Sequence, residues 1–320
     1  MARIFVTRRL ADGTLERLAA AHDVEVWPEP RPPARDELAA CARSAQGLLT
    51  MLSDPVDACL IEACPELRAV ANYAVGSDNI DLEAAAARGI RVGVTPDVLT
   101  DATADLTWAL LLAAARRLPE GVEAVRSGAW RAWEPAGFLG LELRGATLGV
   151  VGLGRIGRAV AERAPGFGMM VIHTSRSGGV PLEELLERSD VVSLHCPLTA
   201  QTRHLLDERA FGRMKRSAIL LNTARGAIVE QAALVDALER GSIAAAALDV
   251  TDPEPPAPGD PILRAPHLLL LPHVGSATHT ARARMAEIAE ENLLAALDGR
   301  PMPFPAGGSD PTRARARPRA

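Results

Sequence analysis

The sequence predicts an α/β fold of two parallel-sheet domains, one inserted into the other. Three observations carry that prediction. Short apolar strands alternate with helical stretches through the first hundred residues, and a second alternating series begins near mid-chain. Between them, residues 148–157 read LGVVGLGRIG, an apolar run leading into the helix-like segment 158–163. Alternating β and α units of this length build parallel sheets covered on both faces. Gly152, Gly154 and Gly157, spaced G-x-G-x-x-G, form the strand–turn–helix unit on which a dinucleotide pyrophosphate can rest. Both domains are therefore expected to be Rossmann-like. A dinucleotide-binding domain at 100–284 would be inserted into a split substrate domain at 1–99 and 285–320.

The elements follow in order. Strands are predicted at 4–7, 24–27, 47–51, 69–73 and 91–94, with helices at 15–21, 35–43, 55–63 and 82–88. Gly89 suits a helix C-cap. A long helix starts at Thr100, with Asp101 and Asp105 near its start and Arg116 and Arg117 near its end, charges that complement the helix dipole; Pro119 is expected to stop it. A loop containing Trp130 and Trp133 precedes the glycine turn. Strands at 170–174, 191–195, 218–222, 245–249 and 268–271 then alternate with helices at 182–188, 207–213 and 231–238. An amphipathic helix over 280–297 is expected to pack back on the first domain. The tail from about residue 305, with Arg313, Arg315, Arg317 and Arg319, reads as a solvated, disordered end.

Composition excludes several function classes. At 48% hydrophobic residues the chain has ample material for cores, and a net charge of −5 provides no basic face for nucleic acid. Cys41, Cys59, Cys64 and Cys196 lack paired metal-ligand spacing; Cys59 and Cys64 read as small core residues. The start, MARIFVTRRL, runs into a strand and shows no signal peptide, and the longest apolar run, 108–115, is too short to span a bilayer. The expectation is a reduced, cytoplasmic protein with no membrane partner.

Polar groups cluster where strands of the second series end, the place where open α/β sheets bind ligands. They include Asn222-Thr223-Ala224-Arg225-Gly226, Leu248-Asp249-Val250, Asp252-Pro253-Glu254-Pro255 and Pro272-His273-Val274-Gly275-Ser276. Reducing a 2-keto acid requires a cation for the carboxylate, a proton donor for the carbonyl oxygen and a hydride donor. Arg225 can hold a carboxylate with two parallel hydrogen bonds. His273 can donate the proton as negative charge develops, with Glu254 holding its imidazole and stabilising the charged form. His22, His204 and His267 read as solvent-facing, and His173 and His195 as residues lining the dinucleotide.

Taken together, ANYAVGSDNIDL, TPDVLTDATADL, LLNTARGAIV, LDVTDPEP and LPHVGSATHTAR resemble the D-isomer-specific 2-hydroxyacid dehydrogenases, most closely their glyoxylate/hydroxypyruvate reductase branch. The resemblance covers nearly the whole chain except the tail. It implies the catalytic roles of Arg225, Glu254 and His273. It also implies that Asp249 accepts from the nicotinamide carboxamide near Thr103, that Arg155 and Ile156 sit at the pyrophosphate, and that Cys196-Pro197 walls the adenine. Thr223, Ala224 and Gly275 complete the implied cofactor set. Backbone N–H groups of Val75 and Gly76, closed over by Leu52, would bind the substrate carboxylate. Trp130 and Trp133 match a loop that reaches the partner subunit's substrate site in this branch, which implies a homodimer. A lactate- or 3-phosphoglycerate-type specificity is the alternative within the family, and a dinucleotide-sensing corepressor the alternative outside catalysis. Glu254 argues against a formate-type relative, which would carry glutamine there.

An NAD site usually has an acid about 20 residues past the glycine turn, for the ribose hydroxyls. Here the chain reads His173-Thr174-Ser175-Arg176-Ser177. Ser175 and Arg176 favour a 2′-phosphate, so NADPH is expected over NADH, with NADH tolerated.

Overall fold

The computed structural model describes residues 1–11 and 13–307, and the chain divides into two compact units. The first, Met1–Leu99, contains β1 (Arg3–Val6), α1 (Glu16–Ala21), β2 (Asp23–Val26), α2 (Arg35–Ala42), β3 (Gly47–Thr50), α3 (Ala58–Ala63), β4 (Ala69–Asn72), α4 (Leu82–Ala87) and β5 (Arg91–Gly93). Its five strands form a wholly parallel sheet in the order β2-β1-β3-β4-β5. Buried Phe5, Leu48, Val70 and Val92 pack there with Trp27, Leu38, Leu60 and Ile61. Asp57 and Asp81 cap α3 and α4 through their side chains, accepting from Leu60 N and Ala84 N.

The second unit, Thr100–Ala277, opens with α5 (Thr100–Ala115) and α6 (Leu118–Arg126). Pro119, expected to end the first helix, instead sits in the first turn of the second, where its missing N–H costs nothing. Left-handed Arg117 (φ +51°) makes the break. Then come β6 (Thr147–Val151), α7 (Arg155–Arg163), β7 (Met170–Ser175), β8 (Gly178–Gly179), α8 (Leu182–Arg188), β9 (Val191–Leu194), α9 (Glu208–Arg213), β10 (Ile219–Asn222), α10 (Gln231–Glu239), β11 (Ala245–Leu248) and β12 (Leu268–Leu270). The sheet order is β12-β11-β10-β9-β6-β7-β8, parallel throughout except for the short antiparallel β8 at one edge. Both faces are covered. Leu148, Val150, Ile219 and Leu221 pack with Trp108, Leu111 and Val160, whereas Val151, Val192, Leu194 and Leu220 pack with Leu185, Phe211 and Leu234.

The chain then returns through α11 (His279–Leu297), capped by Thr278, to complete the first unit. The boundary therefore lies at 277/278 and not at 284/285, because the helix is one continuous element lying on β3, β4 and β5. It is not a one-sided amphipathic helix. Met285, Ile288, Ala289, Leu293, Ala296 and Leu297 are buried together with Glu290 and Asn292, so its later turns are enclosed on several faces. The chain also stays ordered past residue 305, since Val94 N donates to Phe304 O (2.9 Å) and Ala306 N to Val92 O (2.8 Å). The four tail arginines lie outside the described residues.

Two single-residue expectations fail. Cys59 is exposed on α3, while Cys64 is buried as expected. His22 is half-buried, its Nδ1 accepting from Ala2 N (3.3 Å). Among the described residues no helix is long and apolar enough to cross a membrane.

Candidate active site

The glycine turn ends β6. Gly152 adopts φ +96°, and a Cβ placed there would lie 2.6 Å from Cys196 N. A Cβ on Gly157 would lie 2.0 Å from Gly152 O, so only a bare residue lets α7 approach the strand this closely. Gly154 is different, since a Cβ there would meet nothing within 4 Å. It is also the N-cap of α7 and offers no side-chain cap. Open space in front of a helix N-terminus whose cap is bare fits a pyrophosphate. Arg155 and Ile156 begin that helix.

The flanking strand ends bring further residues beside the glycine turn. Ser175 closes β7, its Oγ 3.0 Å from Ser177 Oγ and donating to Gly178 O (3.0 Å), with exposed Arg176 at the turn into β8. Cys196 and Pro197 follow β9, and burial pushes the Cys196 thiol up to about 11, so it behaves as an uncharged wall. His195 does more than line the site. Its Nε2 lies 2.7 Å from Ser193 Oγ and burial lowers it to about 4, which keeps the ring neutral beneath the glycine turn.

The polar group lies at the ends of β10, β11 and β12. Asn222 is buried; its Oδ1 accepts from Ala224 N (3.0 Å) and its Nδ2 donates to Arg225 O (2.9 Å), folding the loop that presents Arg225. Thr223 Oγ1 meets Thr107 Oγ1 of α5 at 3.0 Å. A Cβ on Gly226 would lie 2.0 Å from Thr251 C and O, so a glycine is needed for the Arg225 loop to touch the loop carrying Glu254. His273 Nδ1 and Glu254 Oε1 are 2.6 Å apart, a short contact of the charge-assisted kind.

His273 itself holds a left-handed backbone (φ +54°), a conformation that costs a non-glycine residue roughly 1–2 kcal/mol. Asp249 offsets that cost. Its carbonyl accepts from His273 N (2.9 Å), while Oδ1 and Oδ2 accept from Val274 N (2.8 Å) and Gly275 N (2.7 Å). Asp249 is only 1% exposed; burial raises its carboxyl above the usual range, against the pull of those N–H donors and of His273. Thr103 Oγ1 of α5 donates to Gly275 O (3.2 Å) and fixes the turn from the other side.

Within the second unit the structure thus gathers Thr103, the glycine turn, Ser175, Arg176, Cys196, Pro197, Thr223, Ala224, Arg225, Asp249, Glu254, His273 and Gly275 at strand ends or directly beside them. Leu52, Val75 and Gly76 belong to the first unit, on the loops that follow β3 and β4. Trp130 and Trp133 stand apart on the segment after α6, 58% and 80% exposed. Sequence reasoning overlooked Thr107, and it named Asn222 and Gly226 in the Arg225 segment without the loop-building parts they play. An asparagine two residues before Ala224 was a readable turn signal; the close approach at Gly226 leaves no local signature.

Comparison with known proteins places this geometry. Residues 108–275 match the family model described as D-isomer specific 2-hydroxyacid dehydrogenase, NAD binding domain. The chain is 48% identical over 305 residues to a glyoxylate reductase of Korarchaeum cryptofilum, covering 92% of each chain. It is 49% identical over 316 residues to one from Aeropyrum pernix, covering 94% of each. Among solved structures, a Thermus thermophilus protein is similar at TM-score 0.90 and 51% identity, covering 95% of this chain and 99% of that one. An NADPH-dependent glyoxylate/hydroxypyruvate reductase from Sinorhizobium meliloti, in complex with NADP and malonate, is similar at TM-score 0.83 and 34% identity, covering 96% and 97%. The chain therefore takes a nicotinamide dinucleotide and belongs to the D-isomer specific 2-hydroxyacid dehydrogenase family.

Proposed function

We propose that this protein reduces a small 2-keto acid, glyoxylate or hydroxypyruvate, to glycolate or D-glycerate, using NADPH in preference to NADH and acting as a homodimer. The 2.6 Å contact between His273 and Glu254 carries the reading, because it fixes an imidazole as a proton donor in a site that also presents Arg225. Arg225 binds the substrate carboxylate through its planar fork. With Nδ1 committed to Glu254, Nε2 is the atom that gives its proton to the developing alkoxide, leaving a neutral imidazole still hydrogen-bonded to the carboxylate. The bound nicotinamide supplies the hydride to the carbonyl carbon. In the first unit, the backbone N–H groups of Val75 and Gly76 are proposed as a second element for binding the carboxylate, with Leu52 on the loop that follows β3. The test is a steady-state panel of glyoxylate, hydroxypyruvate, pyruvate and 3-phosphohydroxypyruvate with each dinucleotide, followed at 340 nm. Turnover of none of them would remove the catalytic reading.

NADPH preference rests on Ser175 and Arg176 standing where an acid would repel a 2′-phosphate. The NADPH dependence of the Sinorhizobium meliloti relative supports it. Arg176→Ala is expected to raise the Kd for NADPH about tenfold, one charge-assisted contact, and to leave that for NADH nearly unchanged. Equal effects on both, in a fluorescence titration, refute the phosphate role.

The homodimer rests on α6, which has no buried residue. Leu118, Val122 and Val125 recur at helical spacing and are exposed, and exposed Trp130, Trp133, Phe138 and Leu139 follow them. Apolar surface gathered in this way marks an interface. Asp at both Leu118 and Val125 is expected to convert a dimer to a monomer in sedimentation velocity; a monomeric wild type contradicts the reading.

A further inference from the structure

On the proposed reading, Val75 and Gly76 bind the carboxylate through main-chain N–H groups, so something else must fix their backbone. We infer that Asn79 is a positioning residue for the substrate carboxylate, acting with Asn72 to hold both loops in register. The inference rests on the reading that Val75 and Gly76 bind that carboxylate.

The two loops leave adjacent parallel strands, β3 and β4, paired in register from Gly47↔Ala69 to Thr50↔Asn72. One side chain reaches both. Asn79 Nδ2 donates to Met51 O (3.1 Å) and Asp54 O (2.9 Å), on either side of Leu52, while its Oδ1 accepts from Asn72 Nδ2 (2.9 Å). Asn72, fully buried, also donates to Gly76 O (2.8 Å) and accepts from Thr50 Oγ1 (3.2 Å). Buried Asp54 closes the first loop from within, taking Met51 N (2.8 Å), the Thr7 hydroxyl and Arg8 (3.2 Å). Asn79 thereby spends both amide hydrogens and one acceptor site of its oxygen on loop geometry.

What this holds in place is two donors. Among the described residues, no hydrogen bond occupies the N–H of Val75 or of Gly76. The Asn72–Gly76 bond fixes the peptide group between Gly76 and Ser77, immediately after the two donors, while Ala74 O, in the same peptide group as Val75 N–H, accepts from Thr95 N (2.8 Å). Removing the Asn79 side chain leaves the carbonyls of Met51 and Asp54 without this donor and removes the side-chain tie between the loops, while main-chain bonds such as Val56 N to Asn79 O (2.9 Å) remain. The expected loss is in substrate affinity, because every partner of this network named above lies in the first unit, apart from the His273–Glu254 pair and the glycine turn in sequence and in unit.

Four enzymes decide the matter: wild type, Asn79→Ala, Gly76→Pro and Arg88→Ala. Gly76 is not one of the left-handed glycines, and proline there deletes its N–H. Arg88 donates to Ile61 O, Cys64 O and Pro65 O, elsewhere in the same unit, and serves as a control for general destabilisation. Asn79→Ala is expected to raise the KM for glyoxylate about tenfold, with kcat within about threefold and NADPH Kd unchanged. Amide exchange should quicken at residues 51–54 and 74–78. Arg88→Ala should lower Tm and leave KM unchanged. If Gly76→Pro raises KM and Asn79→Ala does not, the positioning role is wrong and the carboxylate reading stands. If KM rises in Arg88→Ala as much as in Asn79→Ala, the effect is loss of structure and the positioning role again fails. If Gly76→Pro leaves KM unchanged, the carboxylate reading itself fails and takes this inference with it.

Discussion

Replacing His273 with alanine is expected to lower kcat by about 10²–10⁴-fold, with the KM for the keto acid changing little. Alanine removes the only group in the strand-end cluster arranged as a proton donor, with Nδ1 held 2.6 Å from Glu254 Oε1. The alkoxide must then take its proton from water. The geometry makes the variant informative, because the His273 turn is fixed through backbone atoms. His273 N, Val274 N and Gly275 N all bond to Asp249, so losing the imidazole leaves the turn anchored. The left-handed φ of +54° is no easier for alanine than for histidine, and the strain is therefore carried over unchanged. Stopped-flow reduction of glyoxylate under single-turnover conditions checks the chemical step directly. A variant retaining a tenth or more of the wild-type rate removes His273 from the role of acid.

The second large effect is expected at Arg225, where alanine should raise the KM for the keto acid about 10²–10³-fold and lower kcat as well. Losing a bidentate, charge-assisted pair costs roughly 3–4 kcal/mol, and each 1.4 kcal/mol is a factor of ten in affinity. Turnover is expected to fall too, because on the proposed reading the guanidinium places the carbonyl for the acid, and the loop that carries Arg225 is fixed through its backbone. Asn222 grips Ala224 and Arg225 on one side, and Gly226 lies against Thr251 on the other. Arg225→Lys should recover part of the affinity and little of the rate, since an ammonium keeps the charge and loses the fork. Steady-state kinetics across glyoxylate concentration suffice. An unchanged KM in Arg225→Ala would mean that the carboxylate is bound elsewhere.

Much of this was legible in the residues themselves, and the reasons are physical. Fully buried parallel strands write themselves as apolar runs such as Leu148–Val151 or Ile219–Leu221, and the helices between them end at Gly89 and Gly241 as C-cap chemistry demands. Arg225, Glu254 and His273 stood out because each is polar where a strand has just ended. The misses share a cause. Pro119 has the same chemistry at the end of one helix as at the start of the next, so α6 was invisible without the left-handed Arg117. His22 and Cys59 sit at positions whose burial depends on neighbours distant in sequence. The role proposed for the first-unit loops uses main-chain N–H groups, which every residue but proline possesses, so Val75 and Gly76 gave no signal of their own apart from the family resemblance. Asn79 was hidden for the same reason, its partners at 51, 54 and 72 being set by strand pairing.

The returning helix α11 has a consequence for how the protein is made. Its side chains finish the face of the first sheet, where a Cβ on Gly47 would already touch Leu293 and Leu297. During synthesis, β1 to β5 therefore emerge long before the residues that cover them, and that face stays open while 178 further residues are added. The second unit is continuous and can close its own core in the meantime. Order of emergence thus favours completing the dinucleotide domain first, and the first unit is the one exposed to misassembly whenever translation stalls short of residue 279.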